Sequence, residues 1–289
     1  MAKSLEDISN LANKRYGQNF LKDKMVLNKI IEAMPKDDLK IVEIGPGLGD
    51  LTRQLLEVGP VKAYEVDKRL CQYLIDEFKE EIKSGKLELI CKDVLSHKGP
   101  LEEKRYKLIA NLPYNIATNI ILNSLRDRNC EYLLVMVQKE VAQKFAAKSK
   151  DKNFGSLAIL AQSIADVNII SEVDASSFVP PPKVTSALLE IKKRSSLEDK
   201  GFEEFLKIAT KQPRKTLLKN LSTSYKKEYL RDIFNTLNIP LNIRAHELEL
   251  SVYHHLYNLI KDKADERREE SNTKSTKESN STNTKGSNS

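Results

Sequence analysis

Asn111-Leu112-Pro113-Tyr114 gathers a neutral amide, a backbone carbonyl ahead of a proline and an aromatic ring within four positions. That set suits alkyl transfer to the exocyclic amine of a base. The lone pair of such an amine is delocalised into the ring, which makes it a poor nucleophile. An acceptor on each N–H holds the nitrogen in a more tetrahedral geometry and aims its lone pair. The Asn111 side-chain oxygen and the Leu112 carbonyl are two such acceptors. Pro113 fixes φ and removes a competing donor. Tyr114 offers a face on which an unstacked base can lie. The rate gain would come from positioning and dipoles, since an asparagine takes no proton. The alternative for these residues is a proline turn with an Asx hydrogen bond.

The alkyl donor would need a second constellation. Ile41-Val42-Glu43-Ile44 runs into Gly45-Pro46-Gly47-Leu48-Gly49-Asp50. Glycines at Gly45 and Gly47 allow positive φ and close approach of a ligand. Glu65, about twenty positions after Gly45, ends the second apolar run and can accept hydrogen bonds from a ribose diol. These features fit a dinucleotide as well as an adenosyl cofactor. Two details favour S-adenosyl-L-methionine. The spacing is G-x-G-x-G, not the G-x-G-x-x-G that sets a helix N-terminus against a pyrophosphate. Glu43 is an acid that would repel a pyrophosphate but tolerate a sulfonium or ammonium. Asp93, after the third run, can accept from an adenine amino group, or simply cap a turn.

These turns must be held by strands and helices. β-like runs span Lys40–Ile44, Val61–Glu65, Leu87–Cys91, Tyr106–Asn111 and Glu131–Val137, with later ones at Ile169–Val173 and Val184–Ile191. Helix-like segments fall at Leu51–Val58, Lys68–Ile82, Thr118–Leu125, Lys139–Ala147 and Ser156–Ala165. The alternation predicts an α/β fold with a mostly parallel, doubly wound sheet, finished by an antiparallel strand pair. Ligands of such sheets sit beyond the carboxyl ends of the strands, so both turns are expected in one crevice. After Lys192 only helical spacing remains, as in Phe202, Phe205, Leu206 and Ala209, and in Val252, Leu256, Leu259 and Ile260. The expected division is a catalytic domain over 1–192, a small all-α domain over 193–262 and a disordered tail over 263–289.

Of 289 residues, 40% are hydrophobic and 31% charged, the profile of a globular protein. No apolar run reaches the roughly 18–20 residues of a membrane span. The opening MAKSLEDISN lacks the apolar core of a secretory signal, so a cytoplasmic protein is expected. Cys71, Cys91 and Cys130 are scattered, with no CxxC pair, and suggest neither a zinc site nor a disulfide framework. His246, His254 and His255 have no spaced partner ligands, so no metal is assigned. The formal net charge is +7, and residues 193–261 hold 13 Lys and Arg against 8 Asp and Glu. A local basic excess favours a polyanion, although a solvated surface would look the same. Lys211, Arg214, Lys215 and Lys219 straddle Pro213, which suits a first helical position. Lys215 and Lys219 would then share one face, positioned for phosphates. Phe178 precedes Pro180-Pro181-Pro182 after one valine. A stiff proline loop could press that ring on the second face of the base, or the ring could simply pack.

On these motifs the chain resembles the KsgA-type small-subunit ribosomal RNA adenine dimethyltransferases. The matching segments are Tyr16–Leu21, Val42–Leu51, Tyr64–Asp67, Asn111–Thr118, Gln138–Val141, Phe178–Val184 and Arg214–Leu217, within residues 14–260. The resemblance implies a Rossmann-like class I methyltransferase sheet with a small C-terminal helical domain. It implies S-adenosyl-L-methionine contacts at Asn19, Leu21, Gly45, Glu65, Asp93 and Asn111, and target-base residues at Asn111, Leu112, Tyr114 and Phe178. The implied reaction makes two adjacent N6,N6-dimethyladenines near the 3′ end of 16S rRNA, on an immature 30S subunit late in assembly, by a monomer. Ser156 stands where the family often has an arginine after Asn153-Phe154-Gly155, so no RNA contact is transferred there. Two other readings stay open: a 23S rRNA adenine methyltransferase of the erythromycin-resistance type, and an assembly factor whose catalysis is secondary.

Overall fold

Val-, Ile- and Leu-rich runs joined by helical connections have one economical solution, a parallel sheet with both faces covered. The computed structural model describes residues 12–13 and 17–262. Along the chain come β1 (Phe20–Leu21), α1 (Lys24–Ala33), β2 (Lys40–Ile44), α2 (Asp50–Val58), β3 (Val61–Tyr64), α3 (Lys68–Glu77), α4 (Lys79–Lys83), β4 (Leu87–Ile90) and β5 (Tyr106–Asn111). There follow α5 (Ala117–Arg126), β6 (Cys130–Gln138), α6 (Lys139–Ala146), α7 (Ser156–Ile164), β7 (Ala165–Val173), β8 (Phe178–Val179) and β9 (Ser186–Lys193). The seven-stranded sheet has the order β4-β3-β2-β5-β6-β9-β7, and β1 pairs with β8 separately. Strands β2 to β6 are parallel, while β9 lies antiparallel between β6 and β7. The chain leaves β2 toward β3 and returns on its other side as β5. The carboxyl ends of β2 and β5 therefore flank the switch point where such sheets bind ligands.

The expected strands are present, with shifted ends. β7 starts at Ala165, directly after α7, and carries a register shift between Ile169 and Ser171. Asp166 and Asn168 on its exposed face interrupt the apolar run over its first half. The expected helix Lys68–Ile82 divides at Phe78, where φ is −111° and ψ 32°. α1 had no counterpart in the sequence reading; Asp23 caps it, accepting from the Met25 and Val26 amides.

Gly49 shows how tightly the glycine turn is packed. It adopts φ +81°, and a Cβ there would lie 2.4 Å from Phe78 Cε2 and 2.7 Å from Cζ. Both the left-handed backbone and the overlap penalise any side chain. Gly49→Ala is expected to cost about 2–4 kcal/mol, read as a lower urea midpoint; an unchanged midpoint would contradict this packing.

The cysteine expectation is corrected. Cys71 on α3 and Cys91 just after β4 are disulfide-bonded, with Cα atoms 6.0 Å apart, a separation within disulfide range. Twenty residues separate them in sequence. Packing of α3 beside the end of β4 brings them together, which spacing alone does not show.

The chain forms two compact units. One contains the sheet and runs to Ala147, then from Leu157 to Glu198; the other joins Lys148–Ser156 to the residues from Asp199 onward. Residues 193–198 stay with the sheet because Leu197 is buried and its amide donates to the Leu125 carbonyl at 3.0 Å. Lys148–Ser156 is tied to the helical unit by the Lys150 amide on the His246 carbonyl at 2.7 Å. That unit contains α8 (Lys200–Ala209), α9 (Leu217–Leu221), α10 (Lys227–Thr236) and a helix over 250–262, α11. Phe202, Phe205, Leu206, Ala209, Tyr253, Leu256 and Ile260 fill its core. Pro213 and Lys215 lie outside the helix expected for them. Thr216 caps α9 by accepting from the Lys219 amide at 3.3 Å, so the helix starts at Leu217. Lys211, Arg214, Lys215 and Lys219 are all exposed. The expectations for MAKSLEDISN, for Tyr16 and for the tail 263–289 lie outside the described residues.

Candidate active site

The glycine turn after β2 and the turn after β5 meet. A Cβ on Gly45 would lie 3.6 Å from Pro113 Cδ and 4.0 Å from the Asn111 carbonyl oxygen. Asn19, Leu21, Gly45, Gly47, Glu65, Asp93, Asn111, Leu112, Pro113 and Tyr114 all line one cleft. Gln18, Val66, Leu95 and Asn115 line it too and were missed by motif reading. Val66 had a signal: a β-branched residue directly after an acidic strand end, here left exposed.

Glu65 is 4% exposed, and both its oxygens are engaged: Oε2 accepts from the Gly47 amide at 3.2 Å and Oε1 from the Asp67 amide at 2.9 Å. The carboxylate thus sets the glycine turn as well as the start of α3. Burial raises its pKa, against the lowering effect of those amides. Asp93 Oδ1 accepts from the Leu95 amide at 2.9 Å, so the capping alternative holds, and the residue still faces the cleft through its position on the wall.

Glu43 requires a correction. It is 1% exposed and its Oε2 accepts from the Thr52 hydroxyl at 2.7 Å. Burial, with Glu65 and Asp50 nearby, pushes its carboxyl up to about 8 despite that hydrogen bond. Below that pH it keeps its proton, so it cannot repel a pyrophosphate by charge as the sequence reading had it. The unfolded chain ionises this group near its ordinary value of 4.5, while the folded chain holds the proton to about 8. Stability is therefore lost as pH rises through that window, on the order of 3–5 kcal/mol. Glu43→Gln keeps an acceptor for Thr52 and should flatten the slope, so that unfolding at pH 5 and pH 8 differs less than in wild type. An equal slope in both proteins would refute this.

Asn111 ends β5 opposite Met136, and the Leu112 amide donates to the Met136 carbonyl at 3.1 Å. The Asn111 amide nitrogen donates to the Asn19 carbonyl at 3.0 Å. A carbonyl can only accept, so this bond fixes the amide flip and leaves Oδ1 as the atom for another donor. Tyr114 is half-buried on the cleft wall, and its hydroxyl hydrogen-bonds to Ser186 Oγ.

Phe178 is placed differently from the other site residues. It is 1% exposed, belongs to the apolar core with Leu21 and Leu188, and pairs with Leu21 across β1 and β8. The packing alternative describes it in this structure; it supports the N-terminal wall of the cleft from behind.

A protein-family model described as ribosomal RNA adenine dimethylase matches residues 9–262. The chain belongs to the ribosomal RNA adenine dimethylase family. Its relatives include ribosomal RNA small subunit methyltransferase A of Sulfurimonas denitrificans, 52% identical over 252 residues, covering 87% of this chain and 94% of that protein. The protein of that name from Campylobacter jejuni strain RM1221 is 47% identical, covering 87% of this chain and 96% of the relative. Among solved structures, a dimethyladenosine transferase from Plasmodium falciparum superposes with TM-score 0.69 at 27% identity, over 82% of this chain and 95% of that one. The 23S rRNA methyltransferase ErmE superposes with TM-score 0.65 at 22% identity, over 84% and 100%, which shows a shared fold. Membership in this family makes the chain a methyltransferase acting on rRNA, with a Rossmann-like sheet and S-adenosyl-L-methionine as cofactor. The cleft fits that cofactor. A side chain at Gly47 would crowd the Phe20 ring, its Cβ 3.0 Å away, so the turn keeps its backbone open to a close-lying ligand. An acidic acceptor stands at the end of β3, with apolar Val66 and Leu95 on the walls. Among the described residues no helix is long and apolar enough to cross a membrane.

Proposed function

We propose that this chain dimethylates N6 of two adjacent adenines near the 3′ end of small-subunit rRNA, within an immature 30S subunit, as a cytoplasmic monomer. The observation that carries the reading is the Asn111 amide, its nitrogen held by the Asn19 carbonyl at 3.0 Å, in a residue that lines the same cleft as the glycine turn. Bound S-adenosyl-L-methionine supplies an electrophilic methyl group on a positively charged sulfur. Glu65, Asp93 and the Gly45–Gly47 turn hold it, with Asn19 and Leu21 closing the N-terminal side. Asn111 Oδ1 and the Leu112 carbonyl accept from the two N–H groups of the target amine and aim its lone pair, and Pro113 fixes that turn. Tyr114 stacks on the unstacked base. The C–N bond would form as the methyl–sulfur bond breaks, its electron pair staying on sulfur as a neutral thioether; the amine nitrogen gains the positive charge and its proton passes to water, so no residue needs to act as a strong base. Phe178 contributes by supporting the cleft wall. The exposed Lys211, Arg214, Lys215 and Lys219 supply phosphate contacts of the kind that read RNA by shape.

The erythromycin-resistance reading is less favoured, because relatives at 47–52% identity carry the small-subunit name, while ErmE shares 22%. Incubation with unmethylated small and large subunits and cofactor, followed by reverse transcription of both rRNAs, separates the two. Paired stops at adjacent adenines near the 3′ end of the small-subunit rRNA are expected. Stops in large-subunit rRNA alone, or no methyl incorporation, would overturn the proposal.

A further inference from the structure

Tyr114 sits in a turn whose own backbone bonding is sparse, the Ile116 amide on the Pro113 carbonyl at 3.2 Å. A ring in such a turn is free to change rotamer on the ps–ns scale unless something holds its far end. The far end is held. The Tyr114 hydroxyl hydrogen-bonds to Ser186 Oγ, across 72 positions of sequence. Ser186 is 0% exposed. It opens β9, an interior strand, and is paired with Gln138 of β6 on one side and Val173 of β7 on the other. Its hydroxyl is therefore one of the most firmly placed polar groups near the cleft, and it is spent on a tyrosine that lines the cleft.

We propose that Ser186 is a positioning residue for methyl transfer: from the sheet interior its hydroxyl holds the Tyr114 side chain in the one χ1 rotamer that lays its ring along the cleft wall, where the target base stacks. This rests on the reading of Tyr114 as the stacking surface. Stacking requires the ring to be in place before the base arrives, because a base stacked on a displaced ring presents its amine away from Asn111 Oδ1. The Cα end of Tyr114 is placed by the turn after β5, and the hydroxyl end by β9. With both ends of the Cβ–Oη axis anchored, the side chain keeps one χ1 rotamer, where the turn alone would leave it free to swing away from the cleft. The pair also satisfies both hydroxyls in a place where neither is well exposed to water, so removing either one strands the other.

The test is a double-mutant cycle on the full chain, using unmethylated small subunits and single-turnover methyl transfer at saturating cofactor. Ser186→Ala and Tyr114→Phe should each slow transfer about 3- to 10-fold, the span of one neutral hydrogen bond. The double variant should be no slower than the worse single, because both remove the same contact. Cofactor affinity by calorimetry should stay within about twofold of wild type, as the serine does not face the cofactor turn. Additive losses, an unaltered rate in Ser186→Ala, or a fall in cofactor affinity that accounts for the rate loss would each overturn the proposal. If Ser186→Ala does not fold, Tyr114→Phe decides alone, and a wild-type rate in that variant overturns it. If wild type transfers no methyl group to the subunit, the reaction assigned above falls, and this role with it; a wild type that works beside variants that do not couple overturns this role alone.

Discussion

Asn111→Ala is expected to slow methyl transfer about 10²- to 10³-fold, the usual consequence of removing one preorganised dipole from a reacting centre. The reason is specific to this geometry. The Asn19 carbonyl engages the amide nitrogen at 3.0 Å, which leaves Oδ1 as the atom to accept from the proposed target amine. Without that oxygen the target amine keeps its lone pair in the ring, and only the Leu112 carbonyl is left to pull it out of plane. The fold should survive, because Asn111 is the last residue of β5 and the ladder to Met136 is made by the backbone. Single-turnover rates with unmethylated subunits, alongside a thermal melt, check both halves. A rate within tenfold of wild type would reject the mechanism. Asn111→Asp is informative beside it. A carboxylate has no proton for the Asn19 carbonyl, so the same oxygen would be present but no longer aimed, and activity should fall well below wild type.

Glu65→Ala is expected to raise the cofactor dissociation constant about 10- to 100-fold, the span of a hydrogen bond to a charged acceptor. Two effects act together. The ribose loses its acceptor, and the amides of Gly47 and Asp67 lose the oxygens that hold them at 3.2 and 2.9 Å. The glycine turn is thereby loosened on the side where the ligand must approach. The rate at saturating cofactor should change much less, since nothing at Asn111 or Tyr114 depends on Glu65. Calorimetric titration with S-adenosyl-L-methionine decides the matter, and a dissociation constant within about threefold of wild type would show that Glu65 is not a cofactor ligand.

Much of the site was legible because its residues stand at strand ends, where a periodic pattern stops and a motif begins. Gly45 and Gly47 follow β2, Glu65 follows β3, and Asn111 closes β5. Wherever a role depends on neighbours distant in sequence, that legibility stops. Ser186 looks like an ordinary strand residue until it is found against Tyr114. Cys71 and Cys91 look unrelated until α3 lies beside β4. Lys148–Ser156 reads as a loop of the first domain until the His246 carbonyl captures the Lys150 amide.

The local order of residue types determined the elements, their parallel arrangement and the two turns that line the cleft, because hydrophobic periodicity and turn chemistry act over a few neighbouring residues. Tertiary structure alone decided the protonation of Glu43, the burial of Phe178 and the flip of the Asn111 amide. Each of these depends on which groups exclude water from, or donate to, a given atom, and those groups arrive from remote parts of the chain only when the sheet closes around the cleft.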